Sequence, residues 1–195
     1  FTSIIRAKLK NNNLIDHKTI YKADDKFYSN RSIHYGMRII FDRKGYLYFP
    51  IGDRGNRDQA QLLNTPNGKI HRLKDDGSLP NDNPFINNDN AIKSIWTYGN
   101  RNPQGLAIHP TSLMIFETEH GPRGGDELNI LSSGKNYGWP EITYGKNYSG
   151  TTITKYTHKK GMEQPVIHWT PSIAVCGIDF YDGKIFKNWE NNLLV

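Results

Sequence analysis

The stretch "SIHYGMRIIFDRKGYLYFPIGDRGN", residues 32–56, holds two runs rich in β-branched and aromatic residues, joined by a turn and bracketed by His34 and Asp53. Such runs around a glycine-containing turn read as a β-hairpin. The same unit returns further along the chain. "RIIFDRKGYLYF", 38–49, lines up with "GLAIHPTSLMIF", 105–116; its first strand lines up again with "GIDFYDGKIF" from Gly177, and "NLLV" supplies a second strand after an inserted turn. The offsets, 67 residues from Arg38 to Gly105 and 72 from Gly105 to Gly177, exceed the roughly 40 to 50 of a compact propeller blade. Polar loops such as "NTPNGK" and "LPNDNPFINNDN" absorb the excess. Between repeats, "KIHRL", "SIWTYG" and "ELNIL" are strand-like, and no window of helical length keeps a 3.6-residue period. Hairpin units repeated in this way predict an all-β fold, a β-propeller in preference to a sandwich. About three units are present where four usually close a ring, so an open arc is expected.

Composition agrees with a packed chain. Of 195 residues, 36% are hydrophobic and 23% charged, too apolar a balance for a disordered segment. The net charge of +6 is spread over scattered lysines ("RAKLK", "HKKG", "DGKIFK") and forms no dense stripe. No nucleic-acid partner is expected on that pattern, whereas a charged small ligand would suit it. The single cysteine, Cys176, excludes an intrachain disulfide and a cysteine metal cluster. No apolar run approaches the roughly 20 residues of a membrane span, so none is expected. The chain begins at Phe1 and stops in the apolar "NNLLV". It reads as part of a longer protein that could have carried a signal peptide.

The 67-residue offset places His34 on Arg101. Both therefore enter equivalent strands from equivalent loops, which converge at one mouth of a propeller, and Asp53 returns there from the same hairpin. Taken alone, these residues also fit a surface histidine, a turn aspartate, and an arginine in a surface ion pair beside an Asn102-Pro103 turn.

The motifs "IHYGMRIIFDRKGYLYFPIGDRGN", "LPNDNPF", "SIWTYGNRNPQGLAIHP", "ETEHGPRGGDELNIL" and "GKNYGWP" together resemble the soluble aldose sugar dehydrogenases that use pyrroloquinoline quinone (PQQ), the glucose/sorbosone dehydrogenase family. The resemblance runs over nearly the whole chain and implies a six-bladed propeller, of which this is roughly the middle half. It implies oxidation of the anomeric C1 hydroxyl of an aldose to the lactone, with hydride transfer to PQQ bound at calcium. His34 matches the general base, for which an imidazole of ordinary pKa about 6.5 is suited. Asp53 matches the carboxylate behind it. Arg101 matches the cation at the quinone oxygen, with Asn102 and Gln104 as polar contacts and Trp169 lining the cofactor pocket. The carbonyls of Gly121 and Pro122 match ligands of the calcium that holds the cofactor. Glu127 and the Tyr137 carbonyl match ligands of a second, structural calcium. An external electron acceptor and a periplasmic or secreted location follow from the same resemblance.

The chain departs from the family at several points. Met37 stands where a second glycine is common, which alters the floor of the pocket. Val166 replaces the tyrosine of glucose-specific members, and Thr170 and Pro171 follow Trp169, which leaves the sugar open. The remaining cofactor ligands come from later blades. A non-catalytic propeller that binds sugar or protein, of the Hedgehog-interacting type, is the alternative; His34, Asp53 and Arg101 together favour the enzyme.

Overall fold

The computed structural model describes residues 2–36 and 38–195, so Met37, expected to alter the pocket floor, lies outside the described residues. Strands β1 (Ser3–Lys10) and β2 (Asn13–Lys22) form a first hairpin, and β3 (Ile40–Phe41), β4 (Leu47–Ile51), β5 (Lys69–Leu73) and β6 (Ile95–Tyr98) a four-stranded antiparallel sheet. Next, β7 (Pro103–Ile108), β8 (Ile115–Glu119), β9 (Asp126–Leu131) and β10 (Ile167–Trp169) repeat that sheet, and β11 (Asp179–Phe180) with β12 (Leu193–Leu194) begins a third. The expected all-β propeller architecture is therefore observed, as two complete blades and the first pair of another.

The three hairpins read from the sequence are β3–β4, β7–β8 and β11–β12. The turns of the first two meet the same need with different side chains. The Asp42 carboxylate accepts from the amides of Lys44 and Tyr46, both at 2.9 Å, and the equivalent residue His109 accepts through Nδ1 from Thr111 and Ser112, both at 3.1 Å. Each side chain thus satisfies turn amides that would otherwise go unpaired.

All five residues of β4 and all five of β5 are buried, because both faces of this sheet are covered. Strand alternation sends Leu47, Phe49, Ile51 and Leu73 to one face, against Ile4, Ile20 and Tyr21 of the β1–β2 hairpin. It sends Tyr48 and Ile70 to the other, against Leu106, Ile115, Leu131 and Tyr137 of the second sheet. A third cluster of Ala107, Leu128, Ile178 and Phe180 joins the second sheet to the start of the third, with Trp169 packed on it. Face-to-face stacking of successive sheets leaves the loops between them at a shared mouth.

Candidate active site

His34 sits in the loop ahead of β3 with φ +50°, and its backbone lies directly on Gly52, where an added Cβ would collide with the His34 carbonyl oxygen. The missing side chain at Gly52 is what lets the loop reach the end of β4. His34 Nδ1 there meets Asp53 Oδ1 at 2.5 Å. The same oxygen accepts from the Gly55 amide at 2.7 Å, and Oδ2 accepts from the Trp139 indole Nε1 at 2.9 Å. Burial pushes Asp53 toward the neutral form, but hydrogen bonds from His34, Gly55 and Trp139 outweigh it and hold the carboxyl below its ordinary range. A carboxylate on Nδ1 leaves Nε2 as the free, basic nitrogen of a neutral imidazole.

The acid also touches the second sheet. Its amide donates to the Arg101 carbonyl at 2.8 Å, just ahead of β7. The Arg101 guanidinium donates through Nη1 to the carbonyls of His120, at 2.8 Å, and Gly121, at 2.7 Å, and lies 5.3 Å from the Trp139 ring centroid. Asn102 Oδ1 accepts from the Gly36 amide at 3.3 Å, which ties the His34 loop to the same segment. His34, Asp53, Arg101, Trp139, Arg57 and Tyr148 line one cavity of about 200 Å³.

Behind it lies a run of carboxylates. Glu119 and Glu127 face each other across β8 and β9, and Glu117 faces Asn129. Glu119 accepts from the backbone amides of Arg101 and Asn102, while Asn129 Nδ2 donates to Glu117 at 3.1 Å and Glu127 at 3.4 Å. Directly opposed like charges are unfavourable in a sheet. Burial pushes Glu119 up to about 7, against the backbone bonds from Arg101 and Asn102; burial and then the Glu119 charge push Glu127 up to about 8.

Gly121, Pro122, Glu127 and Tyr137 border one small cavity of about 10 Å³, with Glu119 and Arg101 on its wall. That is room for one water-sized species. Among the described residues, no group of three His, Cys, Asp or Glu side chains is arranged to hold a metal. Any cation there would need backbone carbonyls beside the Glu119 and Glu127 carboxylates. The Gly121 carbonyl already accepts from Arg101, and the Pro122 carbonyl accepts from Ser172 Oγ at 3.2 Å, which leaves each a second lone pair. Among the described residues, Arg101 Nε and His120 Nε2 are buried without a hydrogen-bond partner.

A groove of about 790 Å³ continues outward past His120, Pro122, Tyr144, Lys146 and Tyr148 to Thr170. Neither Gln104 nor Trp169 lines the cavity or the groove. Gln104 Oε1 is met by Cys176 Sγ at 3.9 Å, and Trp169 packs on the apolar cluster, leading into residues 170–172 on the groove wall. Sequence reading missed Trp139, Glu119 and Asp126, although each stands in a quoted motif. Asp126 organises the Gly121 turn: Oδ1 accepts from Gly121 at 2.8 Å, and Oδ2 from Ile173 at 3.0 Å and Ala174 at 2.7 Å.

The family model "Glucose / Sorbosone dehydrogenase" matches residues 1–195. "Aldose sugar dehydrogenase YliI" of Escherichia coli (strain K12) is 45% identical over 182 residues, covering 92% of this chain and 48% of the relative. The crystal structure of the soluble aldose sugar dehydrogenase from Escherichia coli in the apo-form superposes with a TM-score of 0.92 at 42% identity, over 98% of this chain and 56% of that one. The PQQ-bound form of aldose sugar dehydrogenase from Streptomyces coelicolor superposes with a TM-score of 0.74 at 29% identity, over 93% and 50%. This chain spans about half the length of the relatives it matches. With the repeat, the paired sheets and a family match from end to end in agreement, the chain belongs to the glucose/sorbosone dehydrogenase family.

Proposed function

We propose that this chain carries the base and part of the cofactor cradle of a PQQ-dependent aldose dehydrogenase that oxidises the anomeric C1 hydroxyl of an aldose to the lactone. The observation that carries the reading is the His34–Asp53 pair at 2.5 Å, in one cavity with Arg101. When bound, PQQ would supply a two-electron acceptor for the C1 hydride and calcium would polarise it.

The chain's own residues have separate tasks. His34 takes the C1 hydroxyl proton on Nε2, while its Nδ1–H donates to Asp53, which stabilises the imidazolium as it forms. Arg101 keeps a fixed positive charge beside the cavity, suited to an oxygen that gains negative charge. Asn102 braces the base's loop; Gln104 and Trp169 enter the proposal through the segments they lead into. The carbonyls of Gly121 and Pro122, with Glu127 and the Tyr137 carbonyl, would hold calcium. Hard oxygen donors, one-ion room and buried carboxylates in need of countercharge all suit it. The family resemblance divides these four between two ions, whereas here they border a single small space.

The proposal includes blades before and after this chain in a single propeller domain, an external electron acceptor, and a periplasmic or secreted location. Among the described residues, no helix is long and apolar enough to cross a membrane. A propeller used only for binding has no need of a carboxylate-held base facing a guanidinium.

His34→Gln in the complete protein tests the role. Sugar oxidation should fall about 10²- to 10⁴-fold with PQQ binding nearly intact. An unchanged kcat would remove His34 from the mechanism.

A further inference from the structure

We propose that Trp139 is a positioning residue for the base: from the second sheet's loop, its indole N–H fixes the Asp53 carboxylate of the first sheet, and so sets the aim and proton affinity of His34. The inference rests on the proposed role of His34 and extends it.

The bond is Nε1 to Asp53 Oδ2 at 2.9 Å, between residues 86 apart in sequence, and both partners are buried. Asp53 Oδ1 is taken by His34 and Gly55. Trp139 is therefore what holds the other oxygen, and without it the carboxylate can rotate about its own axis.

The indole is itself held on several sides. Its backbone amide donates to the Gly99 carbonyl at 2.8 Å, and its carbonyl accepts from Gln61 Nε2 at 2.7 Å. Gln61 and Asn136 exchange amide hydrogen bonds at 2.8 and 3.1 Å, and the Tyr137 amide donates to the Tyr98 carbonyl at 2.8 Å. Residues 136–139 are thus stitched along the end of β6, and this seam between two sheets delivers the indole to the acid. Packing alone needs an apolar ring at this place. The N–H pointed at a carboxylate is a further requirement, and tryptophan meets both.

The charged and titratable groups around the pair are Arg31 from the base's own loop, Arg57 from the turn after β4, Arg101 from the second sheet and Tyr148 from the groove. Among the described residues, no carboxylate other than Asp53 lines the cavity. The arginines keep one charge state at neutral pH, so a moved acid limb reports the His34–Asp53 pair.

The test replaces Trp139 with β-(3-benzothienyl)alanine, which keeps the ring shape and puts sulfur in place of N–H; Trp139→Phe is the second variant. Both are made in the complete protein. The first readout needs no cofactor: the proton resonance of His34 Nδ1–H in histidine-labelled protein, assigned by its loss in His34→Gln. A carboxylate stripped of one donor draws the imidazole proton more strongly, so this resonance should move. The acid limb of kcat/KM should rise on the order of half a pH unit, with kcat about tenfold lower and KM nearly unchanged.

An unmoved resonance and an unmoved limb in the isostere would overturn the inference and leave Trp139 a packing residue. Should Trp139→Phe fail to fold, the isostere still decides. A wild-type protein that oxidises no aldose would instead sink the proposed function, while the resonance would still test the Trp139–Asp53–His34 connection.

Discussion

Removing the proposed calcium should make the complete protein lose stability as pH rises through neutrality, the reverse of ordinary acid denaturation. Burial drives Glu119 from 4.5 to about 7, although the amides of Arg101 and Asn102 and the Arg101 charge pull it back. In the metal-free folded state this carboxyl keeps a proton that the unfolded chain has released from about pH 5 upward. The folded state then binds more protons than the unfolded one, so stability falls as pH climbs from 4.5 towards 8. Glu127, held up to about 8 by burial and by Glu119, adds in the same direction. At about 1.4 kcal/mol per tenfold change in proton affinity, Glu119 alone accounts for about 3 kcal/mol, or on the order of 5 °C in Tm. Lys69, which burial pushes down to about 7, tilts the other way above pH 7. The quantity to read is therefore the difference between wild type and Glu119→Gln or Glu127→Gln. Thermal unfolding in chelator at pH 5, 6.5 and 8 should show a fall in wild type that the variants lack. Calcium should restore more at pH 8 than at pH 5, because protons compete for its ligands. A wild-type Tm that tracks the variants across this range, with equal calcium gain at pH 5 and 8, would refute both the burial argument and the cation site built on it.

Two further outcomes follow from packing. Phe49→Ala removes a ring that stacks on His71 at 5.1 Å and touches Tyr21 at 4.7 Å beneath the first hairpin; it should cost about 3 to 5 kcal/mol in urea unfolding, and a cost under about 1 would show that the β1–β2 hairpin does not seal that face. Gly52→Ala sets a methyl against the His34 carbonyl, so kcat should fall about a hundredfold with PQQ affinity retained; wild-type turnover would show that the base is not seated through Gly52.

The repeat was legible because its turns are local. "DRKG" and "HPTSLM" each announce a reversal between alternating runs, and the β3–β4 and β7–β8 pairings follow from them. The β1–β2 hairpin is less legible, because its lysine-rich runs read as surface charge. Its signal was present in Asn11 and Asn12, whose φ of 48° and 61° suit the asparagine pair at a tight hairpin turn. His34 and Asp53 could be joined because one hairpin carries both. Trp139 could not, as its approach depends on how two sheets stack. The opposition of Glu119 and Glu127 likewise depends on the β8–β9 register, which no motif states. Residues assigned by family likeness alone divide accordingly: Arg101 and the 121–122 turn come to the cavity, while Gln104 and Trp169 stand behind it.

The complete burial of β4 and β5 partitions the motions of the site. Amides in these strands should be among the last to exchange with solvent, since releasing them requires parting two stacked layers. Asp53 follows β4 by two residues and inherits that protection. His34 lies instead in a long irregular segment, fastened by Gly52 contact, the Asp53 bond, Asn102 and the Arg54 guanidinium, which donates to the Ile33 and Arg31 carbonyls. On warming, the His34 segment is expected to part from Asp53 before the sheets separate. Activity would then fade reversibly over a range in which the sheets remain intact, and return on cooling without refolding.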